Sequence, residues 1–134
     1  MIERERAFAH RVEAALARVF DAHRIAWLYE PHTFALERAQ NGDVTRAFTP
    51  DFFLPEIGMY VECTVARRSL TARKRHKARA AERLYGIVVE IAYRADFEAM
   101  ARRWSLGELS RALEEPSAQP SRSDVHASAK RAIE

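Results

Sequence analysis

The chain has little cysteine, no long apolar run and few lysines. Its one cysteine, Cys63, excludes an internal disulfide and a zinc site built from several cysteines. No apolar run approaches the roughly 20 residues of a membrane-spanning helix. The opening segment, MIERERAFAH, is charged and unlike a signal peptide. These absences indicate a cytoplasmic protein with no membrane segment.

The remaining composition is that of an ordinary folded domain. Of the 134 residues, 48% are hydrophobic and 31% are charged, which argues against global disorder and is enough for one core. We predict a single domain over residues 1–113. Residues 114–134 are rich in Pro, Ser and Ala and poor in bulky apolar side chains, so we expect a mobile C-terminal tail there.

Positive charge is concentrated in one segment, although the net charge of the whole chain is only +3. Residues 66–83, ARRSLTARKRHKARAAER, contain eight Arg or Lys residues and a single acid, Glu82. A basic stripe on a nearly neutral body suits a polyanion such as nucleic acid. The alternative is a solvated helix face in a protein that prefers arginine.

The order of predicted elements indicates an α/β fold, with a mixed central β-sheet flanked by helices. Residues 59–93 form a strand–helix–strand unit and should make a parallel crossover, whereas the earlier strands favour an antiparallel meander. Ser69 is the predicted N-cap of the helix in this unit, which reaches Tyr85 and ends at Gly86. The other predicted helices are 2–23, 96–104 and 106–113, and the predicted strands are 25–30, 33–36, 45–54, 59–65 and 87–93.

Two carboxylates, Asp51 and Glu62, fall on neighbouring predicted strands. A hard divalent cation such as Mg²⁺ prefers a few carboxylate oxygens and keeps several waters. Such a cation can activate water and neutralise charge that develops on a phosphodiester. A third acid, Glu13, lies at the border of the apolar face of the first helix, about 20° beyond Phe20 at 100° per residue. The three acids together are candidates for a metal-dependent site.

These segments together resemble the PD-(D/E)XK nuclease superfamily, and in particular its small resolvase- and transposase-related members. The resemblance extends over roughly residues 8–95. The residues that carry it are an acid in the first helix, two aromatic- and proline-containing segments and a strand that ends in glutamate: Glu13, then Ile25, Trp27 and Tyr29-Glu30-Pro31, then Thr49-Pro50-Asp51-Phe52-Phe53-Leu54-Pro55, then Tyr60-Val61-Glu62.

This resemblance implies a restriction-endonuclease-like α-β-β-β-α-β core and a metal-dependent endonuclease that hydrolyses phosphodiester bonds in DNA. It implies that Asp51 and Glu62 bind Mg²⁺, for which Mn²⁺ can substitute, together with the main-chain carbonyl of Cys63. Glu13 corresponds to the first-helix acid, which contributes to catalysis and metal binding. Nucleases of this kind often dimerise to cut two strands, so a homodimer is compatible with the resemblance. The sequence does not identify a dimer interface.

The family lysine, two residues beyond the glutamate, is absent: Thr64 occupies that position. A neutral hydroxyl cannot provide the positive charge of a lysine. Only three of the 22 basic residues are lysines, and two of them, Lys74 and Lys77, lie in the basic helix. With Leu70 at 0°, Lys77 projects at about −20° and Lys74 at about 40°, within the apolar stripe predicted to face the sheet. A long lysine stem can cross apolar surface and deliver its ammonium to the edge of a sheet.

We therefore predict that Lys77 or Lys74 replaces the missing lysine in position and charge. The alternative is that both lysines reach solvent and only contact phosphate. If the charge has not been replaced, the chain is a catalytically inactive, nuclease-derived DNA-binding module. In either case, arginines of the basic segment are expected to hold the nucleic-acid backbone, and the candidates are Arg67, Arg68, Arg73, Arg75 and Arg79.

Overall fold

The computed structural model describes residues 10–65, 68–111 and 126–127, and in it five consecutive strands separate the first helix from the second. A 3₁₀ turn at Arg94–Asp96 precedes the last helix. In chain order the elements are α1 (Arg11–Ala22), β1 (Leu28–Tyr29), β2 (His32–Arg38), β3 (Val44–Phe48), β4 (Phe52–Leu54), β5 (Met59–Thr64), α2 (Arg68–Tyr85), β6 (Val89–Tyr93), α3 (Phe97–Arg111) and β7 (His126–Ala127).

The main sheet has four strands in the order β1-β4-β5-β6. Strand β4 is antiparallel to both β1 and β5, and β5 is parallel to β6. The mixed α/β architecture and the parallel β5–α2–β6 unit were predicted from the sequence and are confirmed. A parallel pair requires a crossover between its strands, and α2 provides it. The predicted antiparallel meander of the earlier strands is wrong, because β1 pairs with β4 while β2 and β3 belong to a second sheet.

A second, antiparallel sheet has the order β3-β2-β7. The prediction of one extended segment over residues 45–54 is therefore wrong, because Thr49-Pro50-Asp51 carries the chain from β3 in this sheet to β4 in the main sheet. Pro50 has no N–H for a ladder hydrogen bond, which favours a break at this point. His126–Ala127 comes from the predicted tail and pairs with β2; residues 112–125 and 128–134 lie outside the described residues.

Two hydrophobic clusters enclose strand β5, one on each face. Val61 and Cys63 belong to the cluster with α1 and α3, whereas Tyr60 belongs to the cluster with α2. Successive side chains of a strand point to opposite faces, so this alternation follows from the strand itself. Each fully buried large side chain contributes on the order of 1.5–3 kcal/mol of transfer free energy. Burial on both faces holds β5, and with it Glu62, in a defined register.

Helix α1 buries its apolar face, including Leu16, Ala17 and Phe20, as its periodicity predicts. The predicted start of this helix at residue 2 lies outside the described residues. Glu13 is in the first turn of α1, and only 4% of its surface is exposed. A carboxylate in the first turn interacts favourably with the helix dipole.

The boundaries of α2 differ at one end from the prediction. The helix begins at Arg68, so Ser69 lies inside it and is not its N-cap. Gly86 ends the helix as predicted, with φ +68°, and its N–H donates to the carbonyl oxygen of Glu82 at 2.9 Å. A left-handed residue at this point favours glycine, which has no Cβ to clash.

The buried stripe of α2 is rotated from the predicted one. Thr71, Ala78 and Ala81 are buried, whereas Leu84 is 57% exposed. On the helical projection these three positions centre near about 65°, roughly 105° from Leu84, and Ala80, at about −80°, is buried as well. The inclusion of Leu84 in the sheet-facing stripe was wrong, but Lys74 and Lys77 both remain on the buried side.

The segment after β6 forms one continuous helix, α3, where the sequence predicted two. Phe97, Met100 and Ala101 pack into the same cluster as α1. Within the described part of the chain, none of the helices combines the length and apolar character needed to cross a membrane.

Candidate active site

The β4–β5 hairpin places Asp51 beside Glu62. Phe52 pairs with Val61 and Phe53 pairs with Tyr60, so the same register continued by one residue brings Asp51 opposite Glu62. The turn between the strands, residues 55–58, contains Gly58 with φ +81°. The eleven-residue spacing of the two acids in the sequence thus becomes direct juxtaposition across an antiparallel pair.

Reciprocal hydrogen bonds to the main chain hold the two carboxylates. The Asp51 N–H donates to Glu62 Oε1 at 3.0 Å, and the Cys63 N–H donates to Asp51 Oδ2 at 2.8 Å. Both acids are more than nine-tenths buried. Each carboxylate is therefore oriented by the strand that carries the other.

Glu13 approaches the pair from α1 and is held by Tyr29. The Tyr29 hydroxyl donates to Glu13 Oε1 at 2.5 Å, and both side chains are buried. The charge of Glu13 raises the pKa values of Asp51 and Glu62. A third buried acid, carried by α1, therefore interacts electrostatically with the pair.

Lys74 supplies the positive charge of the cluster. Its Nζ donates to the carbonyl oxygen of Cys63 at 2.5 Å and lies 3.9 Å from Glu62 Oε2. The stem of Lys74 crosses the buried side of α2, and 24% of the side chain is exposed. The ammonium therefore reaches the strand residue that immediately precedes Thr64.

Thr64 is fully buried and faces α2 rather than solvent. Its hydroxyl donates to the carbonyl oxygen of Val65 at 2.9 Å and lies 3.1 Å from Thr71 Oγ1. Thr71 is three residues before Lys74, on the same side of α2. A short polar pair, Thr64 and Thr71, thus joins β5 to the helix one turn before the residue that carries the ammonium.

Lys77 contacts the second sheet. Its Nζ donates to the carbonyl oxygen of Ala47 at 3.1 Å, on strand β3 of the second sheet. About two turns further along α2, the Tyr85 hydroxyl donates to the carbonyl oxygen of Ala35 on β2 at 2.8 Å. Of the two lysines predicted from the sequence, the structure brings Lys74 to the acids and uses Lys77 to attach α2 to the second sheet.

The predicted arginine surface is described only in part. Arg67 lies outside the described residues, and for Arg68 the structure describes the helical main chain but not the side chain. Arg73 is exposed on α2. On the helical projection Arg73 lies at about −60°, beside the exposed Leu84.

Arg75 and Arg79 connect α2 to strand β6. Arg75 Nη2 donates to the Tyr93 hydroxyl at 2.7 Å. Arg79 Nη2 donates to the carbonyl oxygen of Val89 at 2.7 Å, and its Nε lies 2.9 Å from Glu82 Oε1. Glu82 Oε2 in turn accepts from the Val89 N–H at 2.8 Å. Both main-chain polar groups of Val89 are thereby bonded by side chains of α2, a structural contribution that the sequence did not indicate.

Asp51 and Glu62 favour their protonated forms more than ordinary carboxyl groups do. Burial raises the pKa of Glu62 to about 7, Glu13 acts in the same direction, and Lys74 and hydrogen bonds from Asp51 oppose the rise. Burial also raises the pKa of Asp51 well above its usual range, with the charges of Glu62 and Glu13 adding to the effect. The same negative charges, after burial itself, raise the pKa of the Cys63 thiol. The cluster therefore holds more negative charge than Lys74 alone neutralises.

The raised pKa of Glu62, caused chiefly by burial, predicts that the metal-free protein loses stability as the pH rises. Glu62 has an ordinary pKa of 4.5 and a folded pKa of about 7, so the folded chain retains a proton that the unfolded chain has released between these values. Stability should therefore fall across this interval by a few kcal/mol, at about 1.4 kcal/mol per pKa unit. Urea unfolding in the presence of a chelator, from pH 4.5 to 7.5, measures the decline.

Glu62→Gln should flatten this dependence, because the amide cannot ionise and its oxygen can still accept from the Asp51 N–H. Some decline should remain, since the pKa of Asp51 is also raised. Glu56→Gln, on the exposed turn between the same strands, makes the same chemical change away from the buried acids. Equal slopes for the wild type and Glu62→Gln would contradict the prediction.

The donor set suits a hard divalent cation. Asp51 and Glu62 offer carboxylate oxygens and Cys63 offers a main-chain carbonyl, and such oxygens are the ligands that Mg²⁺ takes together with water. Within the described residues, no three His, Cys, Asp or Glu side chains form a group that could hold a metal ion. A cation at this site would therefore need the Cys63 carbonyl oxygen and water molecules as ligands, in addition to the carboxylates of Asp51 and Glu62.

Two residues of the site were not assigned a role from the sequence, Tyr29 and Thr71. Tyr29 belongs to one of the segments that carry the resemblance, but no feature of the neighbouring sequence shows that its hydroxyl reaches Glu13, sixteen residues away. Thr71 projects at about 100°, just outside the stripe predicted to face the sheet, and a polar residue at the border of a buried face is a signal that it has a partner.

Comparison with known proteins adds no assignment: no family model matches the chain, and no curated protein and no solved structure matches it.

Proposed function

We propose that this protein is a metal-dependent endonuclease that hydrolyses phosphodiester bonds in DNA, and that Lys74 takes the place of the lysine in a PD-(D/E)XK-type site. The observation that carries the proposal is the buried pair Asp51 and Glu62 with the Lys74 ammonium 3.9 Å from Glu62 Oε2. Glu13, buried on α1, lies close enough for its charge to raise the pKa values of both acids. Buried like charges are costly, so such a cluster is typical of functional sites.

The topology of the main sheet supports the proposal. When the β2–β3 hairpin is set aside, the elements follow the order α1, β1, β4, β5, α2, β6, which is an α-β-β-β-α-β sequence. Glu62 lies on the strand that precedes the crossover helix, and Asp51 lies at the start of the strand beside it. This is the arrangement that the resemblance implies for the metal-binding acids.

The contacts of Lys74 support its assignment as the replacement lysine. A lysine at position 64 would share the strand face of Glu62, because residues i and i+2 point the same way. Thr64 instead bonds to Thr71, and Lys74 reaches Cys63 and Glu62 from the helix. The positive charge is thus delivered next to the same glutamate from a different element.

Hydrolysis at this site would join a water oxygen to phosphorus and break a bond from phosphorus to a sugar oxygen, which leaves with a proton. Mg²⁺ held by Asp51, Glu62 and the Cys63 carbonyl would supply a Lewis acid and a water of lowered pKa. The Lys74 ammonium would stabilise the negative charge that develops on the phosphate oxygens, as fixed cations do in phosphoryl transfer. Burial keeps these groups away from bulk water, which strengthens their interactions.

The outer face of α2 is the proposed contact for the DNA backbone. Arg73 is exposed there, and Arg75 and Arg79, although bonded to β6, are also largely exposed. Arginine suits phosphate because its guanidinium forms paired hydrogen bonds. Contacts to phosphates position a nucleic acid without reading its sequence.

The second candidate is a DNA-binding module that has lost catalysis, and Thr64 is the observation that favours it. Such a module would bind DNA with an affinity that falls steeply as salt rises, and would cut nothing in Mg²⁺ or Mn²⁺. The two functions differ in one measurable property, cleavage.

The deciding experiment incubates the full chain with duplex, branched and single-stranded DNA and with RNA, each in Mg²⁺, Mn²⁺ or chelator. The proposal expects cleavage of at least one DNA that requires the divalent cation. Salt-dependent binding without cleavage under any condition would favour the binding module, and neither binding nor cleavage would overturn both.

A further inference from the structure

The buried hydroxyl of Tyr29 is a part of the cluster to which the proposed reaction assigns no role. Tyr29 is 2% exposed, and its hydroxyl donates to Glu13 Oε1 at 2.5 Å. The ring packs against Phe52, with the ring centroids 5.8 Å apart. Tyr29 is thus held by the core while its polar end meets one of the three acids.

Strand β1 contacts the site at a second point. The N–H of Glu30, the residue after Tyr29, donates to the carbonyl oxygen of Asp51 at 2.9 Å. Tyr29 itself pairs with Phe52, the residue after Asp51. The short β1 strand therefore joins the Glu13 side chain to the main chain that carries Asp51.

We propose that Tyr29 is a positioning residue of the candidate site, whose hydroxyl holds the Glu13 carboxylate toward Asp51 and Glu62; this inference rests on the proposed function. Glutamate has a flexible side chain, and the charges of the two other acids repel the Glu13 carboxylate. A hydrogen bond to a charged acceptor is among the stronger ones in proteins, and partners behind a reacting group commonly orient it. Without the hydroxyl, the Glu13 carboxylate can turn away from the acids.

The chain offers a matched control in Tyr60. It is 1% exposed, and its hydroxyl lies 2.8 Å from His32 Nδ1 in the other hydrophobic cluster. Tyr29→Phe and Tyr60→Phe each remove one buried hydroxyl and keep the ring. Both variants should unfold at lower urea concentrations than the wild type, because each loses a buried hydrogen bond.

The test measures cleavage of the best DNA from the substrate panel and direct Mn²⁺ binding by titration calorimetry. Tyr29→Phe should lower kcat by about 10- to 100-fold with the KM for DNA unchanged, and should weaken Mn²⁺ binding about tenfold. Tyr60→Phe should stay within about twofold of the wild type in both measurements. Equal behaviour of the two variants would overturn the inference.

A double-mutant cycle shows whether Tyr29 acts through Glu13. If it does, Tyr29→Phe should have little further effect in a Glu13→Gln background, because the carboxylate it positions is already gone. If the fold loss of cleavage in the double variant equalled the product of the two single losses, Tyr29 would act independently of Glu13, and the assignment would be overturned. A wild-type protein that neither cuts DNA nor binds Mn²⁺ would instead overturn the proposed function itself, and the inference with it.

Discussion

Lys74→Met should lower the rate of metal-dependent DNA cleavage by about 10²- to 10³-fold, the usual loss when one fixed charge-stabilising group is removed from an active site. Methionine retains most of the stem that packs on α2 but lacks the ammonium that bonds the Cys63 carbonyl and faces Glu62. Single-turnover cleavage at saturating Mg²⁺ measures the chemical step apart from DNA binding.

Lys77→Met is the matched control, because it removes the same charge from the same helix. The Lys77 ammonium bonds the Ala47 carbonyl on β3, away from the acids. We expect some loss of stability and cleavage within a fewfold of the wild type. Equal losses from the two substitutions would contradict the specific assignment of Lys74.

Placing a lysine at position 64 of strand β5 tests directly whether Lys74 takes the place of a lysine there. The double variant Thr64→Lys, Lys74→Met should recover part of the cleavage lost in Lys74→Met, since residue 64 shares its strand face with Glu62. Thr64 is fully buried, so a substitution there must displace the contact with Thr71. Stability measured alongside the rate separates misfolding from failed chemistry. A folded double variant with no recovery would contradict the idea that the two positions serve one function.

Asp51→Asn should have two opposite effects: cleavage falls by at least about 10³-fold, and the chelated protein becomes more stable at pH 8 by on the order of 1–2 kcal/mol. The pKa of Asp51 is raised by burial and by Glu62 and Glu13, so its ionised form is disfavoured in the folded state. Asparagine removes that charge and keeps an oxygen that can accept from the Cys63 N–H. The proposed function requires a charge that the fold does not.

Urea unfolding in chelator at pH 8 measures the stability, and the cleavage assay in Mg²⁺ measures the function. Asp96→Asn, at an exposed residue of the 3₁₀ turn, controls for the removal of one negative charge from the whole chain. Added Mg²⁺ should stabilise the wild type more than Asp51→Asn, because only a bound ligand raises stability by mass action. Undiminished cleavage by Asp51→Asn would remove Asp51 from the proposed mechanism.

Local periodicity was sufficient to predict much of the site. The two-residue repeat of β5 places Glu62 on the face that packs against α2, and the helical repeat of α2 places Lys74 and Lys77 on its buried side. The inward orientation of the two lysines is the one that the sequence predicted, and it is confirmed because it depends only on the geometry of a helix. The metal and the DNA substrate remain predictions.

The choice between the two lysines could not be made from the sequence. Both lie on the inner face of α2, and three residues of helix separate them by only about 4.5 Å along the axis. What differs is the element opposite each one, β5 for Lys74 and β3 for Lys77. The break at Pro50 puts β3 in a second sheet, and no local pattern shows where that sheet lies relative to α2.

The amino-acid sequence by itself determined which chemistry is available: three acids, a threonine two residues beyond Glu62, and two lysines on the inner side of α2. The tertiary structure decided which of them meet. Strand register set Asp51 against Glu62, packing of α1 against the sheet brought Glu13 to Tyr29, and the position of α2 along β5 selected Lys74. The physical reason is that the direction in which a side chain points follows from the repeat of its own helix or strand. Contact between two side chains depends on the distance between their elements, which only long-range packing sets.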